Sequence, residues 1–258
     1  MIIDTHGHYD DKRYNNDRNE ILYGLADKGV KAVINSGADF KGCKDTCMLA
    51  ASFSFVYGTL GIHPNNSNEM SEEILEWIRI HARESKIVGI GEIGLDYYDD
   101  EPSRKLQQEW FIKQLHLARE LKLPVVIHSR DAAEDTLRIL KEEKAGMFGG
   151  TMHCYSYSKE MAKQLIDIGF HIGIGGIVTF KNARKLKETV EAISLQDILL
   201  ETDCPYLSPE PNRGGRNDSA QLIYVVEEIA RIKGTSKEIV MDVTSQNAKE
   251  VFGLQVTR

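Results

Sequence analysis

No stretch of this 258-residue chain comes near the roughly 18 consecutive apolar residues that a membrane span requires. No charged segment followed by an apolar core stands in it either. Neither membrane insertion nor export by a standard signal is expected, and a cytoplasmic location is the default. Cysteine is scarce: Cys43 and Cys47 lie one helical turn apart, Cys154 and Cys204 are isolated, and no C-x-x-C pair exists. That excludes a disulfide framework and a cysteine-based zinc finger, and implies reduced thiols. Basic charge is short as well, with 32 Lys and Arg against 39 Asp and Glu. At a net charge of −7 the chain is not expected to coat duplex nucleic acid. A polyanion has to be met locally, through bound cations or a few Arg and Lys side chains. No linker-like stretch, low-complexity tract or short-period repeat divides the chain, so residues 1–258 read as one domain.

What is present is a regular alternation. Met1–Thr5, Val30–Asn35, Phe53–Leu60, Ile87–Ile90, Leu123–Ile127, Phe148–Met152, Phe170–Ile174 and Asp197–Leu200 are apolar, β-favouring runs. Between them stand helical patterns at Asp17–Asp27, Asp39–Ala51, a segment capped by Ser71, a long one opening at Ser103, Ala132–Lys144, Lys159–Ile168 and Arg184–Ala192. A loop rich in Pro, Gly and Asn, Tyr206–Asp218, precedes two final helices at Ala220–Ile232 and Lys237–Phe252. Strands alternating with helices predict a parallel sheet, and eight such units predict closure into a (β/α)8 TIM barrel.

In such a barrel the chemistry gathers where strands end. His6, His8, His63, His128 and His153, five of the eight histidines, stand where a predicted strand gives out, as do Glu92 and Asp203. His6 and His8 share one strand face, roughly 6–7 Å apart along the backbone, and can converge on one ion. His81 and His116 fall inside helices and His171 begins a strand, so those three read as structural. Histidines and carboxylates from different strands suit zinc or manganese ahead of magnesium. The set exceeds what one tetrahedral ion needs, and two divalent ions account for the surplus. By position, one takes His6, His8 and Asp203, the other His128 and His153, with Glu92 bridging them.

The blocks D-T-H-G-H, G-I-H-P, G-E-I-G-L-D-Y-Y, H-S-R-D-A, M-H-C-Y-S and E-T-D-C-P-Y-L-S-P, in this order, resemble those of the TatD family of metal-dependent deoxyribonucleases. The resemblance spans essentially the whole chain. It implies an amidohydrolase-type TIM barrel, two divalent ions on the ligand set above, and exonuclease action on DNA, preferring single strands. Three positions depart from the family pattern. Gly7 stands where Cys or Ala is common, Tyr157 where Gly is usual, and Ser219 where Pro is common. The last two are expected in loops near the substrate.

For phosphodiester cleavage Asp203 is expected to ligate an ion and act as general base. His63, without a slot among the metal ligands, is expected to hydrogen-bond the phosphate. Arg130 and Arg213 are candidate phosphate contacts by location and forked geometry, and Glu201 is expected to orient a ligand from behind it. Tyr97, Tyr98, Tyr155 and Tyr206 flank strand ends, where a ring can stack on an unpaired base. Cys154 and Cys204, one residue past a ligand, are expected to face away from the ions. The rival readings are a carboxylic ester or amide hydrolase (an aminoacyl-tRNA-like ester among them), a phosphomonoesterase, and a non-catalytic nucleic-acid-binding barrel. Glu92, where many amidohydrolase-type barrels carry a modified lysine, favours the TatD-like reading. A monomer is favoured.

Overall fold

The computed structural model describes residues 1–256. Eight strands form a single parallel sheet in sequence order: β1 (Ile2–Gly7), β2 (Val30–Ser36), β3 (Val56–Leu60), β4 (Ile87–Asp96), β5 (Val125–Arg130), β6 (Gly150–Met152), β7 (His171–Ile174) and β8 (Ile198–Leu200). The sheet curls into a (β/α)8 barrel. Its last seam is made just beyond β8, where Gly7 bridges to Cys204 and the His8 N–H donates to the Cys204 carbonyl at 2.7 Å. The Asp203 N–H donates to the His6 carbonyl at 3.0 Å, so the same seam holds two of the predicted ligands in register.

The surrounding helices are α1 (Arg18–Gly24), α2 (Phe40–Ser52), α3 (Glu72–His81), α4 (Arg104–Leu121), α5 (Ala133–Glu142), α6 (Lys159–Asp167), α7 (Arg184–Ala192), α8 (Leu222–Lys233) and α9 (Lys237–Phe252). Their starts follow local chemistry. Ser71 accepts from the Ile74 N–H at 3.3 Å and Ser103 from the Leu106 N–H at 3.4 Å, satisfying donors that a helix start leaves free. Helix α4 then buries Trp110, Phe111, Leu115 and Ala118 at helical spacing. A separate cluster joins Ile3, Ala32, Ile34, Val88, Val126 and Leu199 to Phe252 and Leu254. Side chains from five strands around the ring can meet only inside it. Helix α9 and the residues after it therefore cover the end where the strands begin. The other end is left for the site. No helix among the described residues is long and apolar enough to cross a membrane.

Several bounds differ from expectation: β3 starts at Val56 rather than Phe53, β5 runs on to Arg130, and β6 starts at Gly150 after a 3-10 turn over Ala145–Phe148. The helix expected over Asp17–Asp27 stops at Gly24, and a 3-10 turn over Ala26–Lys28 ends at Gly29 with φ +82°. Strand β4 continues six residues beyond Ile90, through glycines that normally punctuate a turn. They are there for close approach: a Cβ at Gly91 would stand 2.6 Å from the Val126 Cβ, and one at Gly94 would overlap the His128 carbonyl. Glu92 is thus held within a strand rather than beyond one.

Candidate metal centre

Six side chains from four strand ends (β1, β4, β5 and β6) and the segment after β8 meet at the open end of the barrel. His6 and His8 bring their Nε2 atoms to 3.1 Å from each other. Asp203 Oδ1 lies 3.7 Å from the first and 3.3 Å from the second. Glu92 divides its oxygens. Its Oε2 is 3.5 Å from His6 and 3.6 Å from His8, while its Oε1 is 2.9 Å from His128 Nδ1 and 2.8 Å from His153 Nε2. Donors held tetrahedrally about 2.0–2.2 Å from one ion stand about 3.4 Å apart. That is close to the 3.1–3.7 Å that separate His6 and His8 from each other, from Asp203 and from Glu92 Oε2. Glu92 Oε1, His128 and His153 stand closer, at 2.8–3.2 Å.

Ring tautomers test whether these nitrogens suit a cation. His8 Nδ1 is 2.8 Å from the Ser36 carbonyl, an acceptor, so it carries the hydrogen and a neutral ring aims a bare Nε2 at the centre. His128 Nε2 is 3.1 Å from the Asp96 carboxylate, so its bare nitrogen is Nδ1, the atom facing Glu92 and 3.2 Å from His153 Nε2. Bare nitrogens this close repel unless a cation or proton lies between them. His63 is the opposite case. Its Nδ1 accepts from the Asn65 N–H at 3.1 Å, leaving the hydrogen on Nε2, which is 3.6 Å from Glu92 Oε1. His63 therefore offers the centre a donor. The donor set fits divalent cations of the zinc or manganese type.

The charges agree. Burial pulls His6 down to about 4, with the charge of His153 adding to it. Burial pulls on His8 too, but its hydrogen bond to Asp203 and the Glu92 charge outweigh this and hold it at about 10. His153 is held at about 9 by Glu92 against burial. Burial, then the charge of His128, takes His63 down to about 3. Burial pushes Glu92 up, yet the surrounding rings prevail and keep it well below the usual carboxylate range.

Behind the ligands lie groups that reading the sequence missed or only partly saw. Asp96, four residues after Glu92 on β4, orients His128. Ser36 sits between His8 and His6, its Oγ 3.1 Å from His6 Nδ1. Glu201 is buried behind His153, with Oε1 accepting from the Cys154 N–H and lying 3.8 Å from His153 Nδ1. Burial raises this carboxyl to about 8. Space for it comes from Gly173, where a Cβ would stand 2.3 Å from Glu201 Oε2. Asp203 and Cys154 hold left-handed backbone, at φ +55° and +45°, which is costly for residues other than glycine.

A cavity of about 660 Å³ opens above the centre, reaching His8, His63, Glu92, His128, His153 and Asp203 and rimmed by Lys12 and Lys41. Arg130 and Arg213 are not brought to it. Arg130 lies over the Tyr98 ring at 3.7 Å, and Arg213 over the Phe180 ring at 4.2 Å. Cys154 does line the cavity, contrary to expectation, because its left-handed turn ends the alternation that would have pointed it away. Cys204 is buried, as expected of a packing residue. Tyr157 and Ser219 do not line the cavity either. The Tyr157 hydroxyl meets Ser129 Oγ at 2.9 Å, and Ser219 Oγ donates to the buried Asp4 at 2.6 Å, so both support the scaffold. Gly7 is matched to Cys204, whose Sγ would lie 2.9 Å from an added Cβ.

Known proteins are similar to this chain over nearly its whole length. A sequence model of the family described as TatD related DNase matches residues 3–253. YabD of Bacillus subtilis (strain 168), named an uncharacterized metal-dependent hydrolase, is 40% identical over 252 residues, covering 98% of this chain and 99% of its own. The 3'-5' ssDNA/RNA exonuclease TatD of Klebsiella pneumoniae (strain 342) is 30% identical, with 95% of each chain covered. Among solved structures, the TatD homologue YJJV of Escherichia coli K12 superposes with a TM-score of 0.93 at 29% identity, covering 98% of both chains.

Proposed function

The chain belongs to the family of TatD-related, metal-dependent hydrolases, and from that footing we propose that it cleaves phosphodiester bonds of DNA, exonucleolytically and on single strands, with two divalent ions. The observation that carries this reading is Glu92, which turns one oxygen to His6 and His8 and the other to His128 and His153. His6, His8 and Asp203 would hold one ion, His128 and His153 the other, and Glu92 both. Bound there, such ions lower the pKa of a coordinated water towards neutrality and neutralise phosphoryl charge. The chain supplies the rest. Asp203, which lines the cavity, takes the proton of the attacking water. The neutral His63 donates from Nε2 to a phosphoryl oxygen. Lys12 and Lys41, on the rim after β1 and β2, would meet the anionic strand, a role expected of Arg130 and Arg213. The name of the Klebsiella relative, a 3'-5' ssDNA/RNA exonuclease, supports the choice of substrate.

The test compares 5'- and 3'-labelled single-stranded oligonucleotides with carboxylic ester and monophosphate substrates, under manganese or zinc. Stepwise shortening of the oligonucleotide is expected. Turnover of the esters alone would replace this reading with the rival one.

Two further outcomes follow from the geometry. Asp96→Asn weakens the hold on His128 and is expected to lower metal affinity about 10- to 100-fold, as read by competition with a chromophoric chelator. Unchanged affinity would leave Asp96 with no role in the site. His8 and His153, held near 10 and 9, are protonated at pH 7 when no ion is bound. Coordination needs their nitrogens bare, and likewise that of His128, which against burial Asp96 and Glu92 also hold above its ordinary value, so ion uptake at pH 7 is expected to release protons. Calorimetry in buffers of differing ionisation enthalpy measures this, and uptake without release would contradict it.

A further inference from the structure

We propose that Tyr206 is the platform on which an unpaired nucleobase stacks, namely the base of the terminal nucleotide whose phosphodiester lies at the metal centre. This rests on the phosphodiesterase reading above. Of the four tyrosines near strand ends, Tyr206 is the one that lines the cavity. Tyr155 is 2% exposed and packed. Tyr97 is partly buried, its hydroxyl bonded to Asp135 at 2.9 Å, and Tyr98 lies under Arg130 away from the centre.

Tyr206 is 43% exposed, so part of it is open to a ligand in the cavity. It is also held in place. The Arg13 guanidinium, outside the cavity lining, covers the ring 4.1 Å from its centroid. The Tyr206 hydroxyl donates to Asp11 Oδ2 at 3.1 Å, while Asp11 Oδ1 accepts from the Arg13 N–H at 2.7 Å. One carboxylate therefore ties the ring to the short turn Lys12–Tyr14, whose first residue, Lys12, also lines the cavity. An aromatic face and an ammonium are thus set side by side near the ligand cluster, matching the base and backbone charge of one nucleotide. Because the ring is fixed beforehand, little ordering cost falls due on binding. A stacked base is read by its π-face alone, so the site accepts any base and rejects a missing one.

The experiment uses the whole protein with manganese and two single-stranded oligonucleotides, identical except that one ends in an abasic tetrahydrofuran nucleotide. The wild type is expected to prefer the base-bearing end about tenfold or more in kcat/KM. Tyr206→Phe should keep that ratio, and Tyr206→Ala should collapse it towards one. A ratio unchanged in Tyr206→Ala, even with both rates reduced, would overturn the proposal and leave Tyr206 a structural residue. A second readout does without turnover: a terminal 2-aminopurine on a phosphorothioate linkage should be quenched by the wild type and Tyr206→Phe, and not by Tyr206→Ala. Quenching that persists in Tyr206→Ala, or is missing in the wild type, overturns the stacking site. Quenching that behaves as expected while no phosphodiester is cleaved overturns the hydrolytic reading instead.

Discussion

Glu92→Gln is expected to lower metal-dependent turnover by at least about a thousandfold and to reduce the metal carried per chain. The side chain keeps its size, so the barrel should retain its circular dichroism. Its chemistry changes on one side. An amide nitrogen has no lone pair for an ion, and its hydrogens would point either at His6 and His8 or at His128 and His153. Whichever way it turns, one cluster loses its shared carboxylate oxygen, and the buried rings lose the charge that offsets them. Elemental analysis of the purified variant, beside rates with metal supplied, reads both effects. Wild-type metal content and wild-type rate together would remove Glu92 from the centre.

Asp203→Asn is expected to cost about 10²- to 10⁴-fold in turnover, the usual worth of a positioned general base, while the cluster of Glu92, His128 and His153 keeps its ion. Asp203 starts from a favourable state. Burial pushes its carboxyl up, but the hydrogen bond to His8 and the charge of His153 outweigh that and hold it below its ordinary value. It is therefore ionised at neutral pH, the form that a base needs. Its backbone, at φ +55°, is held by the N–H bond to His6, so the substitution should leave the loop in place. A variant that turns over at the wild-type rate would assign the base elsewhere. One that loses all metal would make Asp203 a ligand above all.

The barrel was legible because strand and helix alternate with few interruptions and because histidine is rare enough for its positions to speak. His6, His8, His128 and His153 each follow an apolar run, and an apolar run ending in a ligand type is a local signal. What surrounds them is not local. That Asp96 would meet His128 depends on the register between β4 and β5, in which Gly94 pairs with His128 and Asp96 with Arg130. Ser36 reaches His6 across 30 residues, and nothing in its own neighbourhood marks it. The arginines misled for a related reason. A forked cation near a strand end can turn towards the site or onto a ring, and Arg130 and Arg213 do the latter. Cys154 lies beyond Met152, where β6 ends, so the alternation of a strand does not set its direction.

Crystals grown with manganese or zinc, measured at the absorption edge of the metal, should show a dinuclear centre as two anomalous peaks about 3.5–4 Å apart, one against His6, His8 and Asp203 and the other against His128 and His153, with Glu92 touching both. A single peak that leaves Glu92 free, or ions bound away from these side chains, would contradict that assignment.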